Sequence, residues 1–216
     1  MEEKQKSSYV VPRATLQRLA GYLNFLRLKT GPEFERVSSA AIAEGMKIPA
    51  ITVRKDLAYI ANGRPRVGHN REELIERITA ALGTNTCSEA VLVGVGNLGR
   101  ALMCYEGFDN YGLKIVAGFD VDSILVGLEI LGKPVMHTDQ LKSFVQQSGA
   151  LIGIICVPGP QAQEVCDIMV SAGIRGIMCF APVHLFVPPH VTVRYEDFAV
   201  SLAMLSLSVV NKVNEE

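Results

Sequence analysis

The chain of 216 residues is 49% hydrophobic, enough to core one large or two small domains. Its net charge of −1 conceals an asymmetry: residues 1–70 hold 12 Lys/Arg against 6 Asp/Glu, net +6, and residues 71–216 hold 9 against 16, net −7, so the smaller, basic part is suited to a polyanion. No apolar run matches a membrane span and Met1-Glu2-Glu3-Lys4-Gln5-Lys6 is no signal peptide; the five scattered cysteines (Cys87, Cys104, Cys156, Cys166, Cys179) lack any Cys-x-x-Cys, which fits reduced thiols in a cytoplasmic protein better than a disulfide framework or a zinc site.

Residues 12–29 are predicted helical, because Leu16, Leu19, Leu23 and Leu26 recur at three and four residues and form one apolar stripe. Gly31-Pro32 breaks this helix. Ser38 or Ser39 then caps a short helix, Ala40 to Glu44, ended by Gly45. Pro49 suits the first turn of a third helix, Ala50 to about Ala61, with Val53, Leu57 and Ile60 inward. Thr52, Lys55, Tyr59 and Asn62 lie opposite, with Arg54 on the flank. Short helix, tight turn and a helix with a basic, polar outer face form a helix-turn-helix pattern whose second helix enters a DNA major groove. Gly63-Arg64-Pro65-Arg66-Val67-Gly68 is a basic turn suited to a wing. A solvated basic face is the plainer alternative. Candidate DNA contacts are Arg13, Arg18, Ser38, Ser39, Thr52, Arg54, Lys55, Tyr59, Arg64 and Arg66. Asn70-Arg71-Glu72-Glu73 has capping-box spacing and opens a connecting helix, Glu72 to Leu82, ended by Gly83.

The segment Ala90-Val91-Leu92-Val93-Gly94-Val95-Gly96-Asn97-Leu98-Gly99 joins a β-branched run to Gly-x-Gly-x-x-Gly, and Arg100-Ala101-Leu102-Met103 continues as helix. A second apolar run, Lys114 to Phe119, ends in Asp120. This is a dinucleotide-binding fingerprint in context. The glycines allow a tight turn, close approach to pyrophosphate and helix–strand packing, the helix N-terminus faces phosphate, and the acid accepts from a ribose. The alternative is a tight turn without a ligand.

A helix is expected from Thr138 to Gln147, a buried strand within Ala150–Val157, a helix from Gln161 to Ala172, and a strand over Gly176–Phe180. This alternation implies a doubly wound sheet, with the loop at Pro158 on its ligand-binding edge. Phe198 to Val213 reads as a helix that is apolar on nearly every side, with Phe198, Val200, Leu202, Met204, Leu205, Leu207, Val209 and Val210. Such a helix must be covered all round, which points to a dimer interface; the alternative lays it across its own sheet. His69, His137, His184 and His190 show no metal spacing, and too little chain remains for a substrate domain, so no catalytic activity is expected. The fold is read as α/β: residues 1–84 a winged helix-turn-helix domain, 85–196 a Rossmann domain, and 197–216 a dimerisation helix.

Several motifs together resemble the Rex family of bacterial redox-sensing transcriptional repressors. They are Val53-Arg54-Lys55-Asp56-Leu57, Gly94 to Leu102, Phe119-Asp120-Val121-Asp122 and Phe180-Ala181-Pro182-Val183, and the likeness runs from Val11 to about Val210. The resemblance implies a homodimer with a swapped C-terminal helix. It also implies binding to palindromic double-stranded operator DNA, and release of that DNA when NADH replaces NAD+. Gly94, Val95, Gly96, Asn97, Leu98, Gly99, Asp120, Val121 and Pro158 are then the cofactor-binding candidates. Tyr105 and Asp197 are placed beside the nicotinamide by the same resemblance. The chain departs from the family in the segment Ala58–His69: it lacks an aromatic residue there, gains Pro65 and ends on His69 instead of Tyr. In addition, Asn24 stands where some members carry an Arg that ties the two domains. Two rival readings are a small NAD-dependent oxidoreductase and a CoA-binding module, the latter from the Val157-Pro158, Gly173-Ile174 and Phe180 spacing.

Overall fold

The computed structural model describes residues 11–61, 68–83 and 88–215. The chain divides into two compact units, Met1–Thr86 and Cys87–Glu216.

In the first unit the leucine stripe makes α1 (Arg13–Leu28) amphipathic, and Leu19, Tyr22, Leu23 and Leu26 are fully buried. After β1 (Arg36–Val37), Ser38 opens α2 (Ser39–Met46) by accepting from the Ala41 amide at 3.0 Å. The expected stop at Gly45 is corrected. Gly45 lies inside α2, where a Cβ would come within 2.1 Å of the Phe25 ring, so it serves close packing on α1. The left-handed cap is Lys47, at φ 54°. α3 (Ala50–Ala58) ends three residues early, tightening into i→i−3 bonds from the Tyr59 amide to the Asp56 carbonyl at 3.2 Å and from the Ile60 amide to the Leu57 carbonyl at 3.0 Å. β2 (His69–Asn70) pairs antiparallel with β1. α4 (Arg71–Ala81) is capped by Asn70, whose side chain accepts from the Glu73 amide at 3.0 Å.

The second unit begins with β3 (Ser88–Val93), α5 (Asn97–Cys104) and β4 (Leu113–Asp120). A hairpin of β5 (Glu129–Ile130) and β6 (Lys133–His137) follows, turning at Leu131-Gly132, and was not expected. The helix expected from Thr138 is a 3-10 turn over Thr138–Gln140 leading into α6 (Leu141–Ser148). Then come β7 (Ile152–Ile155), α7 (Gly159–Ala172), β8 (Gly176–Cys179), β9 (Thr192–Tyr195) and α8 (Phe198–Glu215), of which β9 was unforeseen. The sheet order is β5-β6-β4-β3-β7-β8-β9, with every pairing parallel except β5 to β6. Without β5 this is the doubly wound nucleotide-binding order, and strand order reverses between β3 and β7.

Alternation along β3 divides the core. Val91 and Val93 pack with α6 and α7, while Ala90 and Leu92 pack with Met103 of α5. The α5 face is incompletely covered toward β8, where Ile152, Met178 and Phe180 stay half-buried. Among the described side chains of α8, Phe198, Val200, Leu202, Met204, Leu205, Leu207, Val209 and Val210 are 51–66% exposed in their own chain. The alternative in which α8 lies across its own sheet is therefore overturned.

Candidate functional site

The loop after β3 gives each fingerprint glycine a separate task. Gly94 has φ 95°, and a Cβ there would sit 2.7 Å from the Cys156 carbonyl carbon at the end of β7. Gly99, buried in the first turn of α5, would place a Cβ 1.9 Å from the Gly94 carbonyl oxygen. A Cβ on Gly96 would meet nothing within 4 Å. Two glycines are therefore required by the fold, whereas the third leaves open space at the start of a helix that no side chain caps.

Asp120, at the C-terminal end of β4, binds this loop. Its Oδ2 accepts from the Val95 amide at 2.7 Å, and its Oδ1 accepts from the Val121 and Asp122 amides at 2.8 and 3.0 Å. A carboxylate has about four acceptor positions, so room remains for one ribose hydroxyl. Val121 is 70% exposed beside it, and Asn97, Leu98 and Pro158 lie at the N-termini of α5 and α7. The loop residues, Asp120, Val121 and Pro158 thus follow the C-terminal ends of β3, β4 and β7, where doubly wound sheets take ligands.

Tyr105 and Asp197 share no hydrogen bond within one chain. Tyr105 stands at the C-cap of α5 with its ring edge-on to Phe108 at 5.1 Å. The Asp197 Oδ1 accepts from the Ala199 and Val200 amides at 2.8 and 3.1 Å and caps α8, a role that an Asp directly before a helix could have signalled. His184 is held by rings, stacked on Tyr195 at 5.3 Å and edge-on to Phe186 at 6.4 Å. Burial pushes the Cys156 and Cys166 thiols up to about 12 and about 11, where they stay protonated at neutral pH.

In the first unit, α3 turns Val53, Asp56 and Leu57 inward and leaves Ile51, Arg54, Lys55, Ala58 and Tyr59 exposed. Thr52 is partly covered, so the outer face is rotated toward Ile51 and Arg54 relative to the face read from sequence. Asp56, only 2% exposed, is an unforeseen anchor. It accepts from Thr15 Oγ1 (2.9 Å), Arg18 Nε (2.6 Å), Arg18 Nη2 (2.7 Å) and the Tyr22 hydroxyl (2.7 Å). Burial pushes the Asp56 carboxyl up, but the hydrogen bonds from Arg18, Tyr22 and Thr15 outweigh it and leave the group below its ordinary value. The placing of Arg18 among the DNA contacts is corrected accordingly, since its guanidinium is committed to Asp56 and ties α1 to α3. Arg13 is exposed at the start of α1, Ser38 is engaged as a cap, and Ser39 begins α2. Arg64 and Arg66 lie outside the described residues. Burial lowers the His69 imidazole, with Glu73 opposing and Arg36 and Arg77 adding to the effect, so it is neutral at pH 7.

Curated relatives decide the family. The chain is 41% identical over 206 residues to the redox-sensing transcriptional repressor Rex of Pelotomaculum thermopropionicum, covering 95% of this chain and 97% of the relative. It is 38% identical over 207 residues to the protein of the same name from Streptomyces coelicolor, covering 95% and 80%. The chain belongs to the Rex family of redox-sensing transcriptional repressors. Two domain models agree with this placement: a putative DNA-binding protein N-terminus matches residues 10–58, and a CoA binding domain matches residues 85–183. Among solved Rex structures, RSP in complex with β-NAD+ and operator DNA matches with a TM-score of 0.84 at 31% identity, over 96% of this chain and 98% of that one. RSP in complex with β-NADH matches with a TM-score of 0.82 at 31% identity, over 94% and 96%. Among the described residues no helix is long and apolar enough to cross a membrane.

Proposed function

We propose that this chain is a cytoplasmic, non-enzymatic repressor that binds double-stranded operator DNA and lets it go when NADH binds. One observation carries this most strongly. A single chain combines a recognition helix of exposed Arg54, Lys55 and Tyr59 with a fingerprint loop whose one sterically free glycine, Gly96, opens toward the ligand edge of the sheet. The RSP structures with β-NAD+ and operator DNA and with β-NADH support the pairing. Residues 1–84 act on DNA through Arg13, Ser38, Ser39, Thr52, Arg54, Lys55, Tyr59, Arg64 and Arg66. Residues 85–196 hold NAD+ or NADH at Gly94–Gly99, Asp120, Val121 and Pro158.

Residues 197–216 complete a homodimer. The exposed apolar sides of α8 match in kind the half-buried Ile152, Met178 and Phe180 of the incompletely covered sheet face, so a second copy can cover both. Carried into a partner, Asp197 stands with Tyr105 beside the nicotinamide, whose ring is cationic in NAD+ and neutral in NADH. A carboxylate about 4 Å from that charge is worth about 4 kcal/mol at an effective dielectric of about 20, more than the coupling of about 1–3 kcal/mol that allostery typically needs. The CoA binding domain match marks the Rossmann unit; the ribose of CoA carries a phosphate that Asp120 repels, which favours NAD. Selection from a random duplex pool tests the DNA assignment. The NAD+-loaded chain should enrich a palindrome, and a pool that stays random contradicts it.

A further inference from the structure

We infer that Ile51 reads the 5-methyl group of a thymine in the operator, an assignment that rests on the DNA-binding reading above. The exposed side chains of α3 fall at positions 51, 54, 55, 58 and 59, the i, i+3, i+4, i+7 and i+8 pattern of one helix face. Four of them are cationic, small or polar. Ile51 is 55% exposed, the only large aliphatic side chain on that face, and it stands one turn ahead of Lys55 in the first turn of the helix. A major-groove recognition helix meets base edges with its N-terminal residues. Apart from the thymine 5-methyl group, the major-groove edges of the bases offer hydrogen-bond donors and acceptors, none of which an isoleucine can satisfy. Its neighbours agree with this placement: Pro49 and Ala50 add no side-chain polar group, and Arg54 and Lys55 flank it with positive charge. The inner side of α3 is fixed by Val53, Leu57 and the buried Asp56, so the helix cannot roll to hide Ile51.

Uracil substitution provides the test. The full-length NAD+-loaded chain is first used to select a duplex, and each thymine of that duplex is then replaced in turn by deoxyuridine, which deletes only the methyl group. At one thymine per half-site, parent affinity should fall about fourfold, equivalent to about 0.8 kcal/mol for one buried methyl. Ile51→Ala should bind the selected duplex more weakly than the parent and show no further loss at that uracil. The substitution is on an exposed helix position and favours helix, so an unchanged circular-dichroism melt confirms folding. A flat uracil scan, or the same uracil penalty in Ile51→Ala, overturns the Ile51 assignment alone. Failure to enrich any duplex overturns the DNA-binding reading and the assignment with it.

Discussion

Replacing Asp56 with Ala should loosen α3 from α1 without disturbing the second unit. The carboxylate accepts four hydrogen bonds at 2.6–2.9 Å, and its removal strands different donors to different degrees. The Tyr22 hydroxyl is on a fully buried side chain and has no water to turn to, which costs about 1–3 kcal/mol. Thr15 is 3% exposed but can bond back to its own helix backbone, so its share is smaller. The Arg18 side chain is 37% exposed and recovers solvation, so its ion pair is discounted to about 0–1 kcal/mol. The sum is about 2–4 kcal/mol, a large part of the about 5–15 kcal/mol that stabilises a typical domain. Hydrogen exchange should therefore quicken in α1 and α3 by roughly 100-fold, at about 1.4 kcal/mol per factor of ten, while β3 and α7 keep their parent rates. Because the Asp56 carboxyl is held below its ordinary value, the parent keeps this tie at all pH above about 4 and loses it as acid protonates the group. Exchange in α1 and α3 that rises less than threefold in Asp56→Ala would show that Asp56 does not hold α3 to α1.

Two alanine substitutions in the fingerprint should separate packing from binding. Gly99→Ala drives a Cβ into the Gly94 carbonyl and should destabilise the second unit by about 1–3 kcal/mol in thermal melts, whereas Gly96→Ala should melt like the parent yet bind NADH at least tenfold more weakly by calorimetry. Equal melts for the two, or unaltered NADH binding by Gly96→Ala, count against the site. NADH should bind at least tenfold more tightly than NADPH, about 1.4 kcal/mol, and Asp120→Ala should narrow that gap; equal affinities in the parent contradict the assignment. Truncation after Asp197 should give monomer or aggregate in sedimentation and abolish palindrome binding, and a soluble dimer after truncation would refute the role of α8.

The fingerprint was legible because its glycines sit where a strand meets a helix, and at Gly94 and Gly99 that backbone leaves no room for a side chain. Other glycine signals were ambiguous. Gly45 looks like a helix stop in sequence but answers to the Phe25 ring, while the actual cap is a lysine that sequence rules do not favour. β6 is hidden in the sequence because Pro134 interrupts its pattern, and β9, Thr192–Tyr195, is too short and mixed to stand out from loop. On α3, burial of Val53 and Leu57 was readable from spacing. The charge between them was not, since nothing in Arg54-Lys55-Asp56 tells which member faces a buried Tyr22 and Arg18. That one buried carboxylate commits the Arg18 guanidinium and, with Val53 and Leu57, marks the inward side of α3.

Whether nucleotide redox state controls DNA release is read by fluorescence anisotropy on the selected palindrome. Operator affinity is measured for the same full-length chain with saturating NAD+ and with saturating NADH. NADH should weaken binding at least tenfold, about 1.4 kcal/mol of coupling, and Asp197→Ala should shrink the difference. Equal affinity of the parent in both nucleotides would contradict redox control and leave a DNA-binding protein indifferent to redox state.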